Sequence, residues 1–152
     1  MNELTVPEIL ELIPQQHPFR FIDNIIEVDE EHIVSEYTYR LDETFYAGHF
    51  PGNPITPGVI LLETIAQTAV VAHGIYLASL QMPKEEIMQT LTVFTDARVK
   101  FKGMVKPGDH VTIHSTKTAF RHLRMKADAT MVLDDGSVCC KASVAGIGVK
   151  NV

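Results

Sequence analysis

"FYAGHFPGNPITPGVILLETIAQ", residues 45–67, decides how the rest of the chain must be read. It opens with a loop in which three glycines (48, 52, 58) and three prolines (51, 54, 57) surround a lone His49. Proline fixes φ and glycine reaches conformations other residues avoid, so such a loop holds one shape. The loop then runs into an apolar stretch, residues 57–80, which as a helix rising ~1.5 Å per residue is long enough to cross a bilayer. Glu63, Gln67 and His73 interrupt it, and no basic residue flanks either end. Both features argue for a buried core helix and against a membrane span.

Thr56 and Pro57 suit the start of that helix, Thr56 as N-cap and Pro57 in the first position. The N–H groups of Gly58 and Val59 then lie in the first turn, where backbone donors lack partners and the dipole favours negative charge. A carbonyl could be polarised there. Glu63 follows a turn and a half later, with Gln67 one turn beyond on the same face. Walled by Ile60, Leu61, Leu62, Ile65 and Ala66, the carboxyl should have a raised pKa, because burial disfavours its charged form. A protonated acid and a neutral histidine make a pair suited to proton transfer. The residues also allow a plainer alternative, a buried glutamate satisfied by Gln67 and the backbone.

Upstream, residues 5–13 read as a short helix capped by Thr5, with Pro7 in its first turn and Glu8 three residues beyond the cap. "FRFIDNIIEV" and "HIVSEYTYRL" form a hairpin around "DEEH". Downstream, "TLTVFTDARVKFKGMV" alternates, with Arg98, Lys100 and Lys102 on one face and Val99 and Phe101 turned inward. "KPGD" and "DDGS" are tight turns that separate three further strands. The architecture expected is α+β: one long helix wrapped by a curved antiparallel sheet of about six strands, in a single domain spanning residues 1–152. A helix apolar on so many sides needs a strongly curved sheet, or a sheet plus a second subunit, to cover it, so dimerisation is an expectation from packing alone.

At 152 residues, with 45% hydrophobic and 21% charged content, the chain has an ordinary globular composition. "MNELTVPEILELI" carries no signal-peptide pattern, and the adjacent Cys139 and Cys140 suit buried thiols in a reducing cytoplasm. The net charge of −6 is unevenly spread: residues 1–96 hold 3 basic and 15 acidic side chains, residues 97–152 hold 10 and 4. The basic run is either a solvated strand face or a docking surface for an acidic partner. Overall acidity and the lack of a recognition motif exclude a nucleic-acid role, although Phe101 and Phe120 interleave the basic residues. His110 and His114 are four apart on a strand, ~13 Å, too far to share a metal ion. No metal is expected.

"GHFPGNPITPGVILLETIAQ" resembles the signature of the FabZ-like 3-hydroxyacyl-[acyl-carrier-protein] dehydratases of the hotdog fold. "PQQHPFRFID" (14–23) and "ARVKFKGMVKPGD" (97–109) are similar to two further segments of that family, in the same order. The resemblance implies a catalytic histidine at His49 and a catalytic acid at Glu63. It implies thioester-carbonyl binding by the N–H groups of Gly58 and Val59, and support of the acid by Gln67. It also implies a cis His49–Phe50 peptide, no cofactor, and acyl carrier protein as partner, docking on Arg98, Lys100 and Lys102. Active sites in this family form between two subunits of a homodimer, which in turn can assemble as a trimer of dimers. The implied reaction is dehydration of a (3R)-3-hydroxyacyl thioester to the trans-2-enoyl thioester, in fatty-acid or specialised lipid or polyketide synthesis. Glu63 would act directly or through water. A dehydratase-isomerase, a hotdog thioesterase and a non-catalytic carrier-binding subunit are the alternatives. Three departures stand out: Gln15-Gln16-His17 replace His-Arg-Tyr, Thr56 replaces Met, and Gly103-Met104 replace Arg-Pro.

Overall fold

The computed structural model describes residues 3–150. Its first element is the short helix Val6–Leu12, whose start is the expected capping box: Thr5 accepts from Glu8 N, and the Glu8 carboxylate accepts from Thr5 N at 3.1 Å. Six strands follow, β1 (Asn24–Val28), β2 (His32–Thr38), β3 (Thr90–Phe101), β4 (His110–Arg121), β5 (Arg124–Leu133) and β6 (Val138–Lys150). They form one antiparallel sheet in the order β1-β2-β4-β5-β6-β3. The central helix, Gly58–Ser79, separates β2 from β3 in the chain. A five-residue helix, Lys84–Met88, leads into β3.

The period-2 pattern of the strands decides which face meets the helix. Along β5, Met125, Ala127, Ala129 and Met131 are buried while Arg124, Lys126 and Asp128 face solvent. From the helix, Leu61, Ile65, Ala69, Ala72 and Tyr76 enter the same core. Burying a side chain such as Ile65 or Met131 contributes about 1.5–3 kcal/mol. The segment long enough to span a membrane is therefore the core helix, with 72% of its apolar window buried inside the fold.

Polar residues inside the helix each find a partner. Thr64 bonds Tyr39 at 2.6 Å, Thr68 bonds Ser35 at 2.5 Å, and His73 Nε2 meets Asp29 O at 2.8 Å. Between Gln67 and Ala72 the helix widens into π turns, which the hydrophobic pattern did not signal. A π segment inserts extra backbone per turn and is common next to functional residues. Here it begins at Gln67, four residues past Glu63.

Turns follow the expected chemistry at "KPGD": Gly108 has φ +88°, Asp109 N donates to Lys106 O, and the Asp109 carboxylate accepts from Lys106 N. The β4–β5 turn does not, because His122 (φ 51°) and Leu123 (φ 61°) both take the left-handed conformation normally left to Asn or Gly.

Two expectations fail. Thr56 does not cap the central helix; Pro57 occupies that position without a side-chain bond, and the Thr56 hydroxyl pairs with Tyr46 instead. Phe101 turns inward but is not buried: 49% of it stays exposed and its ring lies over Gly58. Most of β3 is exposed on both faces, and β3 forms an edge of the sheet.

The sheet packs tightly against the helix at Gly146 in β6, where an added Cβ would sit 2.6 Å from Val70 Cγ1 and 2.9 Å from Val93 O. Backbone cannot step aside cheaply. Gly146→Ala should therefore lose about 1–3 kcal/mol in a denaturant melt. Gly103→Ala, whose nearest atom is 3.6 Å away, should stay within about 0.5 kcal/mol. A neutral Gly146→Ala would contradict this contact.

Candidate active site

The loop before the central helix folds back on itself. Gly48 N and His49 N both donate to Phe45 O, and Phe50 and Asn53 exchange backbone bonds. Ile55 N donates to His49 O at 2.9 Å. The His49–Phe50 peptide is cis, as the resemblance implied, and the two rings stack at 4.1 Å. His49 Nδ1 lies 2.9 Å from Ile55 O. A carbonyl oxygen can only accept, so Nδ1 carries the proton and Nε2 keeps its lone pair.

The first bonds closing the central helix run from Ile60 N and Leu61 N to Pro57 O. Gly58 N–H and Val59 N–H lie ahead of that ladder, as the sequence placed them. The Val59 side chain is 70% exposed. An added Cβ on Gly58 would lie 3.0 Å from the half-exposed Phe101 ring, so the ring would have to shift to admit a side chain there.

Glu63 sits half-buried in a cleft lined by Gln15, Ala66, Val70, Thr92, Val93 and Phe94. Gln67, fully buried, donates to Glu63 Oε2 and to Phe19 O, both at 2.9 Å, and its Oε1 accepts from Phe21 N at 2.7 Å. The alternation of donor and acceptor fixes which way the amide points. Burial raises the Glu63 pKa above the ordinary carboxylate value, and the Gln67 bond offsets part of that rise. The sequence paired Glu63 with Gln67. It gave no hint that residues 19 and 21 would clamp the glutamine, because those bonds cross 46 and 48 residues.

His49 is not among the residues lining the Glu63 cleft. The two side chains are carried by separate elements, His49 by the loop and Glu63 by the central helix. Around them, Phe50, Val59, Val93, Phe94, Phe101 and Met104 leave large apolar side chains exposed.

Val70 and Thr92 line both the Glu63 cleft and a second, apolar cavity that also meets Leu12, Ala78, Ile87, Phe120 and Leu123. Gly74, on the helix one turn past Val70, borders this cavity and has nothing within 4 Å of where its Cβ would be. A mid-helix glycine costs about 1 kcal/mol relative to alanine. Its consequence here is open space.

Arg98, Lys100 and Lys102 are exposed, and with Lys141 and His114 they border a broad depression on the outer sheet face. Among the described residues none of these three forms an ion pair. Lys100 even lies directly opposite Lys141 across the ladder. His110 is occupied elsewhere, clamped between Asp134 at 2.6 Å and Glu36 at 2.8 Å, bonds that raise its pKa.

Comparisons with known proteins agree with this layout. The FabA-like domain matches residues 13–142. The 3-hydroxyacyl-[acyl-carrier-protein] dehydratase FabZ of Acetivibrio thermocellus is 38% identical over 143 residues, 93% of this chain and 92% of that protein. Its counterpart in Lactobacillus helveticus is 34% identical over 150 residues, 97% and 95% of the two chains. Among solved structures, the dehydratase heterocomplex ApeI:P from Xenorhabdus doucetiae superposes with TM-score 0.76 at 14% identity, over 93% of this chain and 91% of that one. A Haemophilus influenzae thioesterase gives 0.67 at 12%, over 98% and 93%. At such identities these two structures speak for the fold, a hotdog, and the sequence relatives speak for the family: this chain belongs to the FabA-like family, among the FabZ-type 3-hydroxyacyl-[acyl-carrier-protein] dehydratases.

Proposed function

We propose that the protein dehydrates (3R)-3-hydroxyacyl thioesters carried on acyl carrier protein, giving trans-2-enoyl thioesters. The observation that carries this reading is the division of labour in the site. One group, His49, has its Nδ1–H tied to Ile55 O and Nε2 free; another, Glu63, is kept protonated more readily than usual by burial. Nε2 takes the proton from C2, and the electrons move toward the thioester carbonyl, steadied by the N–H groups of Gly58 and Val59. The C2=C3 double bond then forms as the C3–O bond breaks, and Glu63, oriented by Gln67, gives its proton to the departing hydroxyl as water. Every step is proton transfer, so no cofactor and no metal is required.

The acid and the base come from different subunits of a homodimer in this reading. In support, His49 does not line the Glu63 cleft, and β3 offers an unpaired edge beside exposed Val93 and Phe94. Burying that face would also remove a large apolar patch from water. The acyl tail would extend past Val70 into the apolar cavity beside Gly74. The carrier, an acidic protein, would dock on Arg98, Lys100 and Lys102, which form no ion pair among the described residues. Cys139 and Cys140, buried free thiols pushed up to about 11 and about 12 by desolvation, fit a reducing cytoplasm.

His49→Ala and Glu63→Gln should each lower kcat by about 10²–10⁴ on 3-hydroxyacyl carrier protein. Mixed and allowed to exchange chains, the two dead variants should recover about a quarter of wild-type sites, since half of the dimers are mixed and each has one intact site. No recovery despite proven exchange would place both groups in one chain.

Folding stability offers a second check through pH. Glu63 has a raised folded pKa, so its ionisation opposes folding and stability falls as pH climbs from the ordinary value of about 4.3 through the raised one. Glu63→Gln should abolish that decline and match or exceed wild-type stability at pH 7.

Substrate readouts test the two surfaces. Gly74→Leu should cut kcat/KM for long acyl chains at least tenfold and spare short ones. Reversing Lys100 and Lys102 to Glu should raise KM for carrier-bound substrate and leave a carrier-free thioester unaffected. Equal losses on both substrates would reduce the basic strand to a solvated face.

A further inference from the structure

Tyr46 and Thr56 are buried in the His49 loop, 6% and 3% exposed, and their hydroxyls meet at 2.6 Å. The bond joins the two ends of the loop, ten residues apart, with His49 between them. Thr56 is one of the positions where this chain departs from the pattern it resembles, and among the described residues its hydroxyl has a single hydrogen-bonding partner, Tyr46.

The peptide linking Ile55 to Thr56 makes that position matter. Its N–H, from Thr56, donates to Val105 O at 2.8 Å. Its carbonyl, from Ile55, accepts His49 Nδ1–H at 2.9 Å. A peptide unit is planar, so its C=O and N–H are rigidly joined and, in the trans form, point opposite ways. The unit is thus a strut between the buried backbone of Val105 and the imidazole. Rocking about the flanking dihedrals is the motion left to it, and the Tyr46–Thr56 bond opposes that motion at the adjacent Cα.

We propose that Tyr46 and Thr56 are a positioning pair that holds the Ile55–Thr56 peptide where its carbonyl keeps His49 in the Nδ1–H tautomer, with Nε2 aimed at the substrate. Neither hydroxyl touches the reacting atoms. Their effect on turnover passes through the carbonyl of Ile55. The inference rests on His49 being the base, and the tests separate the two ideas.

Tyr46→Phe and Thr56→Val each delete one hydroxyl at nearly constant shape. Each leaves the other hydroxyl buried and unpaired, which destabilises the protein; the double variant removes both and restores much of the stability. A purely structural bond predicts that activity returns with stability in the double variant. A positioning pair predicts otherwise: kcat about tenfold low in each single variant and equally low in the double, with KM unchanged throughout. Thr56→Ser, which retains the hydroxyl, should keep most of the wild-type kcat. Imidazole ¹⁵N shifts of His49 give a readout independent of turnover. Wild type should show one protonated and one lone-pair nitrogen, and the double variant should move both toward the average of two tautomers.

A double variant with wild-type kcat, or with unmoved ¹⁵N shifts, overturns the proposal. If His49→Ala itself stays active, the reading of His49 as base falls instead.

Discussion

A helix apolar on nearly every side has to be covered on nearly every side, and the rest of this chain is arranged around that requirement. The sheet covers most of it, with alternating Met125, Ala127, Ala129 and Met131 along one strand turned toward it. The short helix Val6–Leu12 and the segment after it cover more. Every polar side chain the helix carries inward is then costly unless bonded. Thr64 is bonded to Tyr39 just past β2, Thr68 to Ser35 in β2, and Gln67 to the backbone of the segment before β1. His73 is bonded to the turn between those strands.

Glu63 is only half covered, and in the proposed reaction it is the acid. It lies where coverage by the chain itself stops, at a cleft edged by the exposed strand β3. Its partial burial raises the pKa, and the bond from Gln67 keeps one oxygen occupied. A fully exposed carboxylate would ionise early, and a fully covered one could not reach substrate. The same incomplete coverage leaves Val59, Phe94 and Phe101 exposed. Site and apolar face therefore arise from one cause, a core helix that the sheet of one chain does not fully enclose.

Positioning on the histidine side uses different means. His49 is carried by a loop whose shape comes from prolines, glycines and a ladder of short backbone bonds, so it is set by local contacts. The last link, from Val105 through the Ile55–Thr56 peptide to Nδ1, reaches across the chain. Local rigidity and one distant anchor together decide which nitrogen is free.

Much of this was legible before any coordinates, for physical reasons. Strand alternation, the capping box at Thr5 and Glu8, the Pro-Gly turn at 107–108 and the four-residue spacing of Glu63 and Gln67 are all local, and local spacing fixes which side chains share a face. What stayed hidden depends on residues far apart in the chain. Thr56 looked like a helix cap and became Tyr46's partner, because that hydroxyl could bond its own helix or a tyrosine ten residues back, and only packing chooses. Phe101 carried the period of an inward residue, yet the strand bearing it ends the sheet and about half of the residue stays exposed. The π turns at 67–72, the clasp of Gln67 by residues 19 and 21, and the open space at Gly74 were likewise silent in the sequence. The sequence by itself determined most of the elements and singled out the candidate groups, since both are set by residue type and spacing. Tertiary structure alone decided how much water each group keeps and which atoms hold it, because burial and long-range hydrogen bonds exist only once the helix and sheet have met.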